Sequence, residues 1–272
     1  MTVPAVRSAT VEASGLSLAY AEQGEGSSVV LVHGTALGRH VWDETIVALG
    51  DGVRTIAYDR RAYGESEAPE PYRGTTVGEQ TEDAAAVIDA LGAGPAVVCG
   101  HELGALVALD LVRRHPGLAR AAVLVEPPLL ALSQAGPATV AELREAIEQG
   151  ANEAEESSAG AVDAYLETMS GPNLSDLIGE GRLNAAHAAA RAFGADLAAP
   201  PTFAFSRRDL RGIEAPVAVV AGARSSAVRR EVARSLADLL ADATLSEADS
   251  GHLVPLEAPQ DVAGAIVEVG AR

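Results

Sequence analysis

The sequence predicts an α/β architecture, a mainly parallel sheet covered by helices on both faces. Short apolar, β-branched blocks recur along the chain, and helix-length segments separate them. Residues 16–22 (LSLAYAE) alternate as a half-exposed strand should. Residues 29–33, 53–58, 95–100, 121–126 and 216–221 are short continuous apolar runs, as expected for strands buried on both faces. Between them, 79–91 places Val87, Ile88 and Leu91 on one helical face. Residues 103–114 carry Leu103, Leu106, Val107 and Leu111 in a buried-helix pattern, and 228–240 forms another helix. The alternation stops near residue 130 and resumes near 212. That interval is helical, rich in Ala, Glu and Ser, and broken at Gly136-Pro137, Gly171-Pro172 and Pro200-Pro201. It reads as a helical insertion over one end of the sheet rather than a separate domain. Its most polar part, 151–161, is expected to be a mobile loop, and no repeat of 20 to 50 residues is visible.

Composition narrows the function. The 272 residues carry 38 acidic and 20 basic side chains, a net charge of −18, and every basic residue is arginine. Such a field repels a phosphate backbone, and no basic stripe overrides it, so no nucleic-acid partner is expected. The absence of lysine excludes Schiff-base chemistry and a P-loop phosphate cradle. One cysteine, Cys99, cannot form an internal disulfide, which suits a reducing compartment. No charged-then-apolar leader opens the chain and no apolar run is long enough to span a bilayer, so a cytoplasmic protein without a membrane partner is expected.

Ligands of an open parallel sheet bind beyond the carboxyl ends of its strands. There the sequence places His33-Gly34-Thr35, then the loop Asp59 to Ser66, then Gly100-His101-Glu102-Leu103-Gly104. Glu126-Pro127-Pro128, Gly222-Ala223-Arg224-Ser225 and Ser250-Gly251-His252-Leu253-Val254-Pro255 follow. This set, in this order, resembles the α/β-hydrolase fold family over essentially the whole chain. The shared features are an HG turn, a D-x-R-x-x-G-x-S loop, a small-x-nucleophile-x-small elbow and a late GH-x-x-P.

The resemblance implies an eight-stranded, mainly parallel sheet flanked by helices, with a core of 1–129 and 212–272 and a helical cap over 130–211. It implies Glu102 at the nucleophile position, Thr35 and Leu103 as oxyanion-hole donors, and His252 as the histidine. The family's usual acid slot holds Ser225, and Glu126 is the expected substitute, with Asp249 a further candidate. His33, Tyr63, Tyr165 and Ser225 are expected around the substrate pocket. No cofactor or metal is implied, and no second ligand stands at metal spacing from His33.

A glutamate on the elbow leaves three readings open. As a nucleophile it suits attack on an sp³ carbon, because attack on an ester or amide would give a mixed anhydride. The ester so formed would be hydrolysed by water that His252 activates. The elbow is similar to the G-H-D-x-G of epoxide hydrolases, although Glu reaches further than Asp by roughly one projected C–C bond. Ala36 stands where their HG-x-P has proline. Leu103 replaces the tryptophan that dehalogenases use for halide, which argues against dehalogenation. Epoxide opening needs a phenol from the cap, whose one tyrosine is Tyr165. The second reading pairs Glu102 with His252 as an acid–base dyad of a non-hydrolytic lyase, cyclase or isomerase in a biosynthetic pathway. The third is a non-catalytic ligand-binding protein. In each case the partner is a small, largely apolar molecule, with a homodimer open.

The remaining residues have plainer expectations. His33 is expected to support the oxyanion turn, His101 to support or pack, and Asp59 and Arg61 to tie down their loop. Arg224 is expected in solvent, with pairing to Glu102 or Glu126 an alternative. Met169, Phe193, Phe203 and Phe205 belong to core or pocket wall.

Overall fold

The computed structural model describes residues 6–154, 157–203 and 205–272. Eight strands form one sheet: β1 (Arg7–Ala13), β2 (Leu16–Gln23), β3 (Ser27–Val32), β4 (Val53–Tyr58), β5 (Ala96–His101), β6 (Ala119–Val125), β7 (Val217–Gly222) and β8 (Ala243–Ala248). Their order is β1-β2-β4-β3-β5-β6-β7-β8, with β2 antiparallel to β1 and β4 and the rest parallel. This is the α/β-hydrolase fold. Two strands were not read from the sequence, and both lie at sheet edges. Facing solvent, they need no apolar run: β8 (ATLSEA) is largely exposed and β1 (RSATVEA) alternates.

The central strands bury both faces. Along β5, Val98 joins the core beneath helices Val77–Ala90, Leu103–Arg114 and Ala227–Leu239. Val97 and Cys99 join the opposite core, against helix Pro259–Gly270. A capping box between Thr76 and Glu79 starts the helix after β4, where both side chains satisfy free backbone donors.

Between β6 and β7 the described chain is helical. Most of the described part of 151–161 is helix, not loop. Residues 151–153 end helix Gly136–Glu153, and 157–161 begin helix Ser157–Ser170; 155 and 156 lie outside the described residues. The polarity that made the stretch look loop-like belongs to solvated helix faces, and its glycine serves a close helix crossing. A Cβ on Gly150 would lie 2.4 Å from the Gly160 carbonyl oxygen, and one on Gly160 would lie 2.2 Å from that of Gly150. No helix among the described residues is long and apolar enough to cross a membrane.

The turn after β5 positions the site, and its glycines are dictated by contact. A Cβ on Gly100 would sit 2.0 Å from the Gly104 oxygen, and one on Gly104 would sit 2.1 Å from the Val32 oxygen. Helix Leu103–Arg114 can therefore enter close against β3. We expect Gly104→Ala to cost roughly 3 kcal/mol through this overpacking. Urea unfolding would measure it, and a change under 1 kcal/mol would contradict the argument.

Candidate active site

Glu102 stands on the tight turn between β5 and the following helix, at φ 51° and ψ −117°. That backbone is unfavourable for a residue with a side chain, by about 1–3 kcal/mol. Its amide donates to the Val125 carbonyl at 2.9 Å and its carbonyl accepts from Ala105 N–H at 2.9 Å, which hold the turn. The carboxylate folds back onto the backbone. Its Oε2 accepts from Thr35 N–H at 3.0 Å and from Leu103 N–H. These are the two amides expected as oxyanion-hole donors, and one carboxylate oxygen now lies between them. Oε1 makes no hydrogen bond among the described residues.

The ionised form of Glu102 is favoured. Burial pushes its pKa up, but the Thr35 and Leu103 amides, with neighbouring His252 and the positive charge of Arg229, together outweigh burial and hold it below the usual carboxylate range. The N-terminus of helix Leu103–Arg114 reinforces this.

His252 is buried, and its Nδ1–H donates to Glu126 Oε2 at 3.0 Å. Glu126 Oε1 accepts from Gly222 N–H at 2.7 Å, which ties the carboxylate to the end of β7. Glu126, like Glu102, sits at positive φ, 51°, directly past its strand. Burial holds Glu126 above the ordinary carboxylate range against the pull of Arg229 and the Gly222 amide. Burial and Arg229 hold His252 well below the usual histidine pKa. A neutral imidazole with Nδ1 as donor leaves Nε2 as an acceptor. His101 Nε2–H donates to the His252 carbonyl at 3.0 Å and so steadies the histidine loop. Burial, then His252, depress the His101 pKa to about 4, so it too is neutral.

Of the residues expected at the pocket, Tyr165 lines the cavity of about 570 Å³ that opens above Glu102 and Thr35, and His33, Tyr63 and Ser225 do not. His33 is enclosed, with Nδ1–H donating to Gly34 O at 2.8 Å and Nε2 accepting from Arg60 N–H at 2.9 Å; both nitrogens serve the HG turn. Tyr63 accepts from Ala36 N–H at 3.0 Å and donates to Asp196 Oδ2 at 2.7 Å, supporting the same turn. Ser225 is buried off the cavity, beside Glu126. A serine cannot replace the usual acid there, and Glu126 reaches the histidine instead. Asp249 is exposed and paired with Arg224, which also meets Glu257, so neither Asp249 nor Arg224 enters the site. Arg61 grips Asp83 with both nitrogens at 2.6 and 2.8 Å, and Asp59 accepts from Arg39 N–H at 2.8 Å. Met169, Phe203 and Phe205 form cavity wall, whereas Phe193 packs edge-on against Tyr165.

Three residues of consequence were not singled out by the sequence. Arg60 and Asp196 form an ion pair with no solvent exposure on either side chain, and Arg60 also donates to the His33 and Gly34 carbonyls at 3.0 and 2.9 Å. Asp196 ends helix Ala190–Asp196, so the pair fastens the β6–β7 segment to the HG turn. Arg229, one turn into helix Ala227–Leu239, lines the cavity.

An eight-stranded sheet of this order with a nucleophile-elbow turn and a buried carboxylate–histidine pair defines an α/β-hydrolase. The chain belongs to the alpha/beta hydrolase family, whose model matches residues 29–265. It is similar to a non-heme chloroperoxidase of Streptomyces lividans, 32% identical over 253 residues that cover 85% of this chain and 87% of the relative. It also matches epoxide hydrolase A of Mycobacterium tuberculosis, 32% identical over 130 residues covering 47% of this chain, and it spans only 40% of that relative's length. In fold it resembles the enol-lactonase of Burkholderia xenovorans LB400, with a TM-score of 0.78, 22% identity, and 97% and 100% of the two chains covered.

Proposed function

We propose that this family member opens epoxides of small, largely apolar molecules through a covalent ester on Glu102. The observation that carries the reading is the division of labour within one carboxylate: Oε2 is held by the Thr35 and Leu103 amides while Oε1 is unbonded. In this mechanism Oε1 attacks an epoxide carbon, the C–O bond of the ring breaks, and Tyr165 supplies a proton to the leaving alkoxide. Burial, then the charge of Glu102, push the Tyr165 phenol well above its usual pKa, so it is protonated and able to donate. His252 Nε2 then takes a proton from water, and the hydroxide attacks Cδ of the ester. The negative charge of that step develops on Oε2, already between its two donors. Collapse breaks the Cδ–Oε1 bond, the departing alkoxide takes the hydroxyl proton left on Cδ to give the diol, and the proton on His252 returns to Tyr165; the carboxylate is restored with the oxygen of water in Glu102. The extra methylene of glutamate is accommodated by the fold-back of the carboxylate onto the amides.

In this reading 130–211 is a cap on a core of 1–129 and 212–272, and the similarity to an epoxide hydrolase supports the choice of electrophile. The acid–base dyad is less well supported, since Nδ1 of His252 is engaged by Glu126 and Glu102 is turned to the amides.

The test is trapping. In His252→Ala, incubation with a panel of aryl and alkyl epoxides should add the mass of one epoxide to the intact protein, at Glu102. Wild type turning over in ¹⁸O-water should acquire label in the same residue. Turnover with neither adduct nor label would overturn the nucleophile.

A further inference from the structure

The cavity above Glu102 holds a guanidinium without a carboxylate. Arg229 is 8% exposed and lines the cavity together with Glu102 and Tyr165. Its one side-chain hydrogen bond among the described residues runs from Nη2 to Met169 Sδ at 2.8 Å, and Nη1 is buried without a partner. A buried donor left unpaired on a charged group is costly, and such groups are ordinarily matched. The other arginines of the interior are matched here, Arg60 by Asp196 and Arg61 by Asp83. Arg144, exposed on the same cavity, likewise has no salt-bridge partner among the described residues. Two cations thus face a cavity whose own carboxylates, Glu102 and Asp196, are held by the Thr35 and Leu103 amides and by Arg60 respectively. Much of the remaining wall is apolar, with Leu129, Leu143, Ile147 and Phe203.

We propose that Arg229 is a substrate-binding residue that takes a carboxylate of the substrate, so that the molecules this site accepts have an apolar body and one carboxylate end. The proposal rests on this cavity being the substrate site, and it does not depend on Glu102 acting as nucleophile. A guanidinium presents paired donors in the geometry a carboxylate matches, and Nη1 supplies a free donor inside the cavity. Arg144 at the exposed side draws the anion in against the overall field. The plainer role for Arg229, as a counter-charge to Glu102 and Glu126, leaves Nη1 without its hydrogen bond.

Binding of unreactive probes separates these roles from each other and from the chemistry. The probes are arylalkanoates of graded length, 3-phenylpropanoate to 6-phenylhexanoate, each with its primary amide, titrated calorimetrically into the full chain. At least one acid should bind roughly 10- to 100-fold more tightly than its amide. In Arg229→Gln that preference should vanish while the amide's affinity is kept, and Arg229→Lys should retain part of it. Should Arg229→Gln fail to fold, Arg229→Lys and the wild-type comparison still decide. Equal binding of acids and amides across the wild-type series overturns the proposal, as does a preference that survives in Arg229→Gln. Failure to trap an ester on Glu102 with the preference intact would sink the nucleophile and leave the carboxylate site standing.

Discussion

Glu102→Gln should lower turnover of an epoxide substrate by about four orders of magnitude or more, with the fold retained. Glutamine keeps the size of the side chain and can still offer one oxygen to the Thr35 and Leu103 amides, so the elbow survives. What it loses is the second oxygen as a nucleophile. Single-turnover kinetics and intact mass should therefore show no ester, while circular dichroism should show the native fold. A variant with more than a tenth of wild-type activity would exclude Glu102 from the chemistry.

The pH dependence follows from the same residues. The pKa of Glu102 is held down and that of His252 is held well down. Carboxylate and neutral imidazole therefore coexist across neutral pH. The acid limb of kcat/KM should lie below the pH of about 6.5 at which a free histidine protonates. For stability, a depressed carboxylate pKa contributes above the unfolded pKa of about 4.3 and is lost as pH falls through the folded value. Glu102→Gln should lose that contribution at neutral pH and narrow its gap to wild type in acid.

Asp196→Ala should destabilise the protein by about 3–5 kcal/mol, measured by denaturant unfolding, because it strands the Arg60 charge in a site with no exposure. Its effect should reach the active site, since Arg60 holds the His33 and Gly34 carbonyls and Tyr63 holds the Ala36 amide. Replacing both charges, Arg60→Met with Asp196→Leu, should recover part of the loss. Recovery should be incomplete, because the two HG-turn carbonyls lose their donors. Full stability in Asp196→Ala would show that the ion pair contributes nothing net.

The sequence alone determined what local rules control. Buried strands announce themselves as apolar blocks. The elbow is a five-residue turn whose glycines are required by backbone contact, so Glu102 could be found with its two amides, and His252 lies in a comparably short motif. The edge strands were missed because their solvated sides need no hydrophobic pattern. The described part of 151–161 was misread because a polar, solvated helix end looks like a loop in composition. The tertiary structure decided what joins distant positions: the choice of Glu126 over Asp249 as the partner of His252, Arg60 with Asp196, Arg229 beside Glu102, and the placing of Tyr63 under the turn instead of in the pocket. Charge–charge and hydrogen-bond partners separated by more than a hundred residues leave no mark in spacing or periodicity. Their meeting is set by which strands lie side by side and by how a helical segment folds back across the sheet.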